Sequence, residues 1–215
     1  MSAWCRWLRN AAGCTAFAVA AWAQPALAAP QDFNATKPSA DAARLVDWVL
    51  ASHDARGKPF AVVDKRAARL YVFHADGHLA GVTPAILGST IGDQIVPGVG
   101  ERAQNGTIRP DERTTPAGRF EAEPGRNIKG ERIVWVDYDS AFAIHRLRPG
   151  FAYNTRAARL ASAQAGGKRL SWGCVVVPVA FYTQVVDQVL GHARSVVYVM
   201  PETAPLQKVF RGPEL

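Results

Sequence analysis

LSWGCVVVP, residues 170 to 178, places a cysteine between a glycine and a run of three valines. β-Branched residues in a row are typical of a buried strand, and the glycine before Cys174 permits a close approach of backbone. A free cysteine is often only a small core residue, so an inert buried thiol is one interpretation. A thiolate nucleophile is the other, and it requires a neighbouring base.

Strand patterns on both sides of this stretch favour a mainly β domain. Strands are predicted at 60–64, 69–74, 78–87 and 115–123, as two short strands within 133–145, as an extended run at 170–177, and at 195–200. Asp76-Gly77 is typical of a hairpin turn. Helices are predicted at 41–52, at 155–165 and after Pro178, and the connection 89–115 is long enough to be a functional or mobile loop. We expect a β-sandwich or barrel-like domain with a few packed α-helices.

The first 28 residues have the pattern of a secretory signal. Arg6 and Arg9 precede an apolar run at 11–23, and Ala26-Leu27-Ala28 provides the small residues of a cleavage site. We expect a signal peptide at 1–28, a linker at 29–40, an N-terminal helix at 41–57, a catalytic domain at 58–203 and a C-terminal tail at 204–215. The protein would be periplasmic, and no later apolar stretch predicts a membrane span after cleavage.

Charge and cysteine content narrow the function. The net charge of +7 falls by two when the signal leaves, which favours a carboxylate-bearing or polyanionic partner, and nothing predicts nucleic-acid binding. Cys5 and Cys14 lie in the signal, so Cys174 would be the single thiol of an exported protein, where thiols are normally paired. Such a thiol favours a catalytic role.

His145 is the histidine best placed to serve as a base for Cys174. It ends an apolar strand at the start of an irregular segment, where a rigid element can aim an imidazole into a cleft. The other histidines lie at helix ends or beside a turn, and the spacing of His74 and His78 does not predict a metal site in a strand context. We expect neither a metal nor an organic cofactor.

With His145 included, the chain resembles the YkuD-type L,D-transpeptidases, whose signature is His, a variable segment, then Ser/Thr-His-Gly-Cys, an apolar residue and Asn or Arg. TTPAGRF at 114–120 and LYVFHADG at 70–77 extend the resemblance over about 60–200. The matching residues are His145, Ser171, Gly173, Cys174 and Val175. The chain departs from the signature at Trp172, where the family has a second histidine, and at Val176, where it has Asn or Arg.

The resemblance implies that Cys174 is an acyl-accepting nucleophile and His145 its base, acting on peptidoglycan stem peptides. A second stem or an envelope protein would accept the acyl group. Backbone N–H groups at Gly173 and Cys174 would face an oxyanion, with Ser171, Trp172 and Arg146 in support. An L,D-carboxypeptidase or amidase, with water as acceptor, and a non-catalytic wall-binding module stay open as alternatives.

A basic segment, residues 146–170, follows His145 and contains no acidic residue. We expect it either to form a solvated lid or to attract substrate carboxylates and favour the thiolate. Its cations are Arg146, Arg148, Arg156, Arg159, Lys168 and Arg169, of which Arg148, Arg156, Arg159 and Arg169 are the predicted substrate contacts.

Overall fold

Ten β-strands form the framework of the described part of the protein. The computed structural model describes residues 37–150 and 152–212. Its strands are β1 (Phe60–Asp64), β2 (Arg69–Phe73), β3 (Leu79–Pro84), β4 (Leu87–Gly88), β5 (Gly118–Arg126), β6 (Arg132–Asp137), β7 (Phe142–Arg146), β8 (Arg169–Ser171), β9 (Val175–Val177) and β10 (Ser195–Val199). The prediction of a mainly β domain is confirmed.

Eight of these strands form a sheet that nearly closes on itself. Their order is β3-β2-β1-β10-β5-β6-β7-β9, with β1 parallel to β10 and β7 parallel to β9. Just after β3, Ile86 pairs with Val176 of β9, so the chain leaving one edge strand meets the other edge strand. This near closure of the sheet confirms the predicted barrel-like domain.

Two strands lie where the sequence predicted one extended run at 170–177. β8 pairs with β4, and β9 pairs with β7, so the two belong to different sheets. A turn containing Gly173 separates them. The predicted extended run is therefore interrupted at 172–174, because the chain must change direction between the two pairings.

Helices cover the sheet and are short. They are α1 (Ala40–Ser52), α2 (Val99–Gln104) within the long loop, α3 (Tyr153–Ala161), α4 (Val179–Phe181) and α5 (Asp187–Leu190), with a π-helical turn at Tyr182–Val186 between the last two and 3₁₀ turns at Pro110–Glu112, Gly166–Lys168 and Leu206–Lys208. In the described part of the chain, no helix is long and apolar enough to cross a membrane. The predicted signal peptide lies outside the described residues.

Both faces of the sheet are buried. Along β1, Ala61 and Val63 belong to one hydrophobic core, while Phe60 and Val62 belong to the other. The second core also receives side chains of α1, whose first turn is capped by Ser39 accepting from the Ala42 N–H. Residues of the predicted C-terminal tail pack into the same core, with Leu206 and Phe210 buried.

Candidate active site

The turn between β8 and β9 presents Cys174 and is held by its own side chains. The Ser171 hydroxyl donates to the Cys174 carbonyl at 2.6 Å and accepts from the Gly173 N–H at 3.1 Å. Gly173 has φ +128°, and a Cβ there would lie 2.7 Å from the carbonyl oxygen of Thr114. Only glycine fits this position without displacing backbone.

This geometry corrects the predicted oxyanion donors. The N–H of Gly173 is already bonded to Ser171, so it does not point at a reacting group. Of the two N–H groups predicted to stabilise an oxyanion, that of Cys174 is the one that we retain as a proposed donor. Ser171 supports the site by shaping the turn, a role that its place in the sequence did not specify.

The thiol of Cys174 is only partly accessible to solvent. It donates to the carbonyl of Ala141 at 3.5 Å. Burial raises the pKa of the thiol, although the N–H groups of Ala143 and Cys174 and the charge of Arg148 act to lower it. The basic segment was predicted to favour the thiolate; the charge of Arg148 acts in that direction, but burial outweighs it in the resting protein.

His145 lies on β7, directly beside β9. His145 pairs with Val176, and the preceding residue Ile144 pairs with Val175. Since Cys174 directly precedes Val175, His145 lies one residue after the Ile144–Val175 pair on one strand and Cys174 lies one residue before it on the other. The Nδ1 atom lies 2.8 Å from the Arg146 carbonyl. Since a carbonyl only accepts, Nδ1 carries the proton in the neutral ring and Nε2 is left with a lone pair.

The imidazole of His145 is neutral at physiological pH. Burial and the charge of Arg148 lower its pKa to about 4, with Arg156 adding to the shift. Among the described residues, no hydrogen bond joins the imidazole to the Cys174 thiol. The resting site thus contains an uncharged thiol and an uncharged base on neighbouring strands.

Trp172 stands where the family signature has a second histidine, and its side chain is half exposed. The Arg113 guanidinium lies over the indole ring, 5.0 Å from its centroid. Trp172 lines a cleft together with Ile95 of the long loop and with Ala141, the acceptor for the thiol. The sequence analysis did not single out Arg113, although it predicted that the loop 89–115 is functional or mobile.

The basic segment is less free than its sequence suggests, because its acidic partners come from elsewhere in the chain. Glu131 forms ion pairs with Arg146 and with Arg148, the latter at 3.0 Å. Although burial alone would raise the pKa of Glu131, a hydrogen bond from Asn127 and these two charges lower it.

Two further cations of the segment are also occupied. Arg169 is paired with Glu202, and buried Lys168 donates to the carbonyls of Ser162 and Gln164 at 2.6 and 2.8 Å. Arg156 and Arg159 of α3 form no ion pair with an acidic residue in the described ranges. Of the predicted substrate contacts, Arg169 is directed away into this ion pair, and Arg156 and Arg159 retain unbalanced charge.

Comparisons with known proteins gave similarity at the level of structure. No family model and no curated protein matches the chain. A solved structure of the L,D-transpeptidase LdtMt1 in complex with imipenem matches with a TM-score of 0.41 and 18% identity, over 66% of this chain and 58% of that one. The catalytic domain of an L,D-transpeptidase from E. faecium matches with a TM-score of 0.36 and 17% identity, over 67% and 98%. Both neighbours are L,D-transpeptidases.

The described residues contain no group of three or more histidine, cysteine or acidic side chains placed to hold a metal ion. That the reaction needs neither metal nor cofactor stays a prediction. The arrangement offers instead a thiol, a neutral imidazole and one backbone N–H within a short stretch of two strands. Such a set is suited to nucleophilic attack on a carbonyl.

Proposed function

We propose that this chain is an exported cysteine acyltransferase, an L,D-transpeptidase acting on peptidoglycan stem peptides in the periplasm. The observation that carries the proposal is the pairing of β7 with β9. This pairing sets a thiol on a fixed turn beside a histidine whose unprotonated nitrogen is Nε2. The sequence resemblance described above supplies the substrate class.

In the proposed reaction, the Cys174 sulfur attacks the carbonyl of the third residue of a tetrapeptide stem. His145 takes the thiol proton and passes it to the departing amine of the terminal D-Ala, which leaves a thioester. An amine of a second stem, or of an envelope protein, attacks the thioester and restores the thiol. The N–H of Cys174 is the donor we assign to the developing oxyanion.

We infer the timing of proton transfer from the burial of the two groups. It disfavours both the thiolate and the imidazolium, so an ion pair does not accumulate before substrate binds. We therefore place proton transfer in the same step as attack on the carbonyl. Bound substrate would complete the alignment of the two groups, as catalytic hydrogen bonds often tighten only in the complex.

The carboxylates of the stem peptide are assigned to the free cations of α3. Arg156 is partly buried, and burial and the neighbouring Arg148 lower its pKa, which shows a cation in a costly position. An anionic ligand would offset that cost. Arg159 lies on the same helix and is the second proposed contact.

A non-catalytic wall-binding module is the alternative that specific observations favour. The thiol has a raised pKa, it is not hydrogen-bonded to His145, and Trp172 replaces a signature histidine. A hydrolase, either an L,D-carboxypeptidase or an amidase, would use the same thioester with water as acceptor. The three proposed functions differ in what happens to a muropeptide: it is cross-linked, hydrolysed, or bound without change.

Incubation of the mature protein with purified tetrapeptide muropeptides, followed by mass spectrometry, separates them. We expect a cross-linked dimer lacking one D-Ala and a covalent adduct on Cys174. Cys174→Ala should abolish both while leaving the folded state intact, and His145→Gln should slow adduct formation severely. Tripeptide without dimer would indicate the hydrolase, whereas bound but unmodified muropeptide would indicate the wall-binding module.

A further inference from the structure

A buried ion cluster lies beneath the turn that presents Cys174. Lys65, whose side chain is fully buried, follows β1 and donates to Asp93 at 2.6 Å and to the Gly92 carbonyl at 2.7 Å. Glu202 lies 3.5 Å from the same ammonium group and also pairs with Arg169. Two cations and two carboxylates thus balance one another in the interior.

Such a cluster is costly for stability alone. Burial lowers the pKa of Lys65 in spite of its acidic neighbours. Although burial would raise the pKa of Asp93, hydrogen bonds from Lys65 and Thr203 and from the backbone lower it. Buried ion pairs often stabilise a protein less than apolar residues of the same volume would, so their retention suggests a role in geometry.

The third hydrogen bond of Lys65 leads to the turn. Its ammonium donates to the carbonyl of Thr115 at 2.7 Å. The Thr115 hydroxyl accepts from the Gly88 N–H and donates to the Gly173 carbonyl, both at 2.8 Å. Thr115 is fully buried, so each of these bonds is made in the dry interior, where losing one is expensive.

The cluster holds the turn from its other side as well. Arg169, the first residue of β8, donates to the Lys65 carbonyl at 3.0 Å in addition to its pair with Glu202. β8 leads directly into Ser171 and the turn. The strand before Cys174 is therefore anchored to the cluster by Arg169, and the Gly173 carbonyl is linked to the cluster through Thr115 and Lys65.

We propose that Thr115, held by the Lys65–Asp93–Glu202–Arg169 cluster, is a positioning residue for the nucleophile. In a trans peptide the C=O and N–H groups point in opposite directions. By binding the Gly173 carbonyl, Thr115 directs the N–H of Cys174 to the opposite side, toward its own sulfur and the proposed oxyanion. The inference rests on the proposed role of Cys174 as nucleophile.

The test compares Thr115→Val, which keeps the shape and removes the hydroxyl, with Thr115→Ser, which retains it. Alkylation of Cys174 by iodoacetamide is followed from pH 6 to 11, with thermal unfolding measured in parallel. Thr83→Val, another buried threonine, is the matched control. Arg148 and His145, the charged and titratable neighbours of the thiol, are the same in every variant.

We expect Thr115→Val to raise the apparent pKa of the thiol by about one unit, which makes alkylation about tenfold slower at neutral pH. Thr115→Ser should recover most of that rate, and Thr83→Val should follow the wild-type profile. A folded Thr115→Val protein with the wild-type profile would overturn the proposal. Equal shifts in the Val and Ser variants would also overturn it, since the hydroxyl would then not be the cause.

The contribution of the ion cluster is tested with Asp93→Asn, which preserves volume and removes the anion nearest Lys65. The pKa of the thiol should shift in the same direction as in Thr115→Val. A folded Asp93→Asn protein with the wild-type alkylation profile would show that the ion cluster does not help to position the nucleophile. If this variant does not fold, the comparison of Thr115→Val with Thr115→Ser tests the proposal. Alkylation needs no stem peptide. A wild-type protein that is inactive on muropeptides would therefore contradict the proposed function without affecting this comparison of alkylation rates.

Discussion

Burial acts on the two candidate catalytic residues in opposite directions, raising the pKa of the Cys174 thiol and lowering that of the His145 imidazole. Both shifts favour the uncharged form of the side chain. The charge of Arg148 lowers both values, so it helps the thiol to ionise and hinders the imidazole from gaining a proton. The site is consequently at rest as a neutral pair, in contrast to a preformed ion pair.

The histidine shift predicts a loss of stability in mild acid. An unfolded chain protonates His145 below about pH 6.5, whereas the folded protein does so only below about 4. Between these values the unfolded state binds more protons, so the stabilisation present above pH 6.5 declines as the pH falls toward 4. The free energy of unfolding should drop by up to about 3 kcal/mol more in the wild type than in His145→Gln over this window.

Urea unfolding of both proteins at pH 4.5, 5.5 and 7 measures this difference. His192→Gln, which alters an exposed histidine, is the control and should retain the wild-type pH dependence. If the free energy of unfolding depends on pH equally in the wild type and in His145→Gln, the assignment of a buried neutral imidazole is contradicted.

At the scale of elements, the turn between β8 and β9 is the feature on which the site depends. Gly173→Ala puts a Cβ 2.7 Å from the backbone oxygen of Thr114 and forces an alanine into a left-handed conformation. Strain of this kind costs about 1–3 kcal/mol. We expect a loss of stability in that range and a lower alkylation rate for Cys174, because the turn must shift to relieve the contact.

Gly166→Ala is the matched control for this substitution. It lies in the 3₁₀ turn before β8, and no atom is within 4 Å of its added Cβ. Its stability should change by less than about 1 kcal/mol. Should Gly173→Ala unfold at the same urea concentration as Gly166→Ala, the turn would be more pliable than its geometry implies.

At the scale of the whole molecule, long-range ion pairs decide which basic residues can attract a ligand. Glu131 and Glu202, from other parts of the chain, form ion pairs with three arginines of the basic segment. Replacing Arg156 and Arg159 together with Gln should therefore lower kcat/KM for stem peptides and weaken its dependence on salt. The attraction is screened over about 8 Å at physiological ionic strength, so it acts mainly in substrate capture.

Initial rates with muropeptide at 20 and 200 mM salt provide the measurement. Arg194→Gln combined with Lys208→Gln changes the net charge equally at exposed positions and should leave kcat/KM close to wild type. Iodoacetamide alkylation serves as a substrate-independent reference. If alkylation falls as much as turnover, the two arginines tune the thiol; if neither changes, they belong to a solvated surface.

Local sequence determined the elements of this fold. The β-rich run from Phe60 to Asp64 and the Asp76-Gly77 turn specify a strand and a hairpin through contacts between near neighbours, and the structure has both. The mainly β class was likewise predictable, because residue type and period carry that information. That Cys174 and His145 are catalytic stays a prediction. Helix limits were less exact, as α3 begins before and ends well short of the predicted 155–165.

Tertiary structure alone decided how the site is supported. Thr115 and Gly173 are 58 residues apart, and the Glu202 that neutralises Arg169 is separated from it by 33. Local periodicity carries no information about contacts between residues that are distant in sequence. The sequence could therefore show six cations in the basic segment but not which of them pair with an acidic residue. Nor could it show that the run 170–177 divides between two sheets. Burial sets the pKa of Cys174 and His145, and burial exists only once distant strands have closed over them.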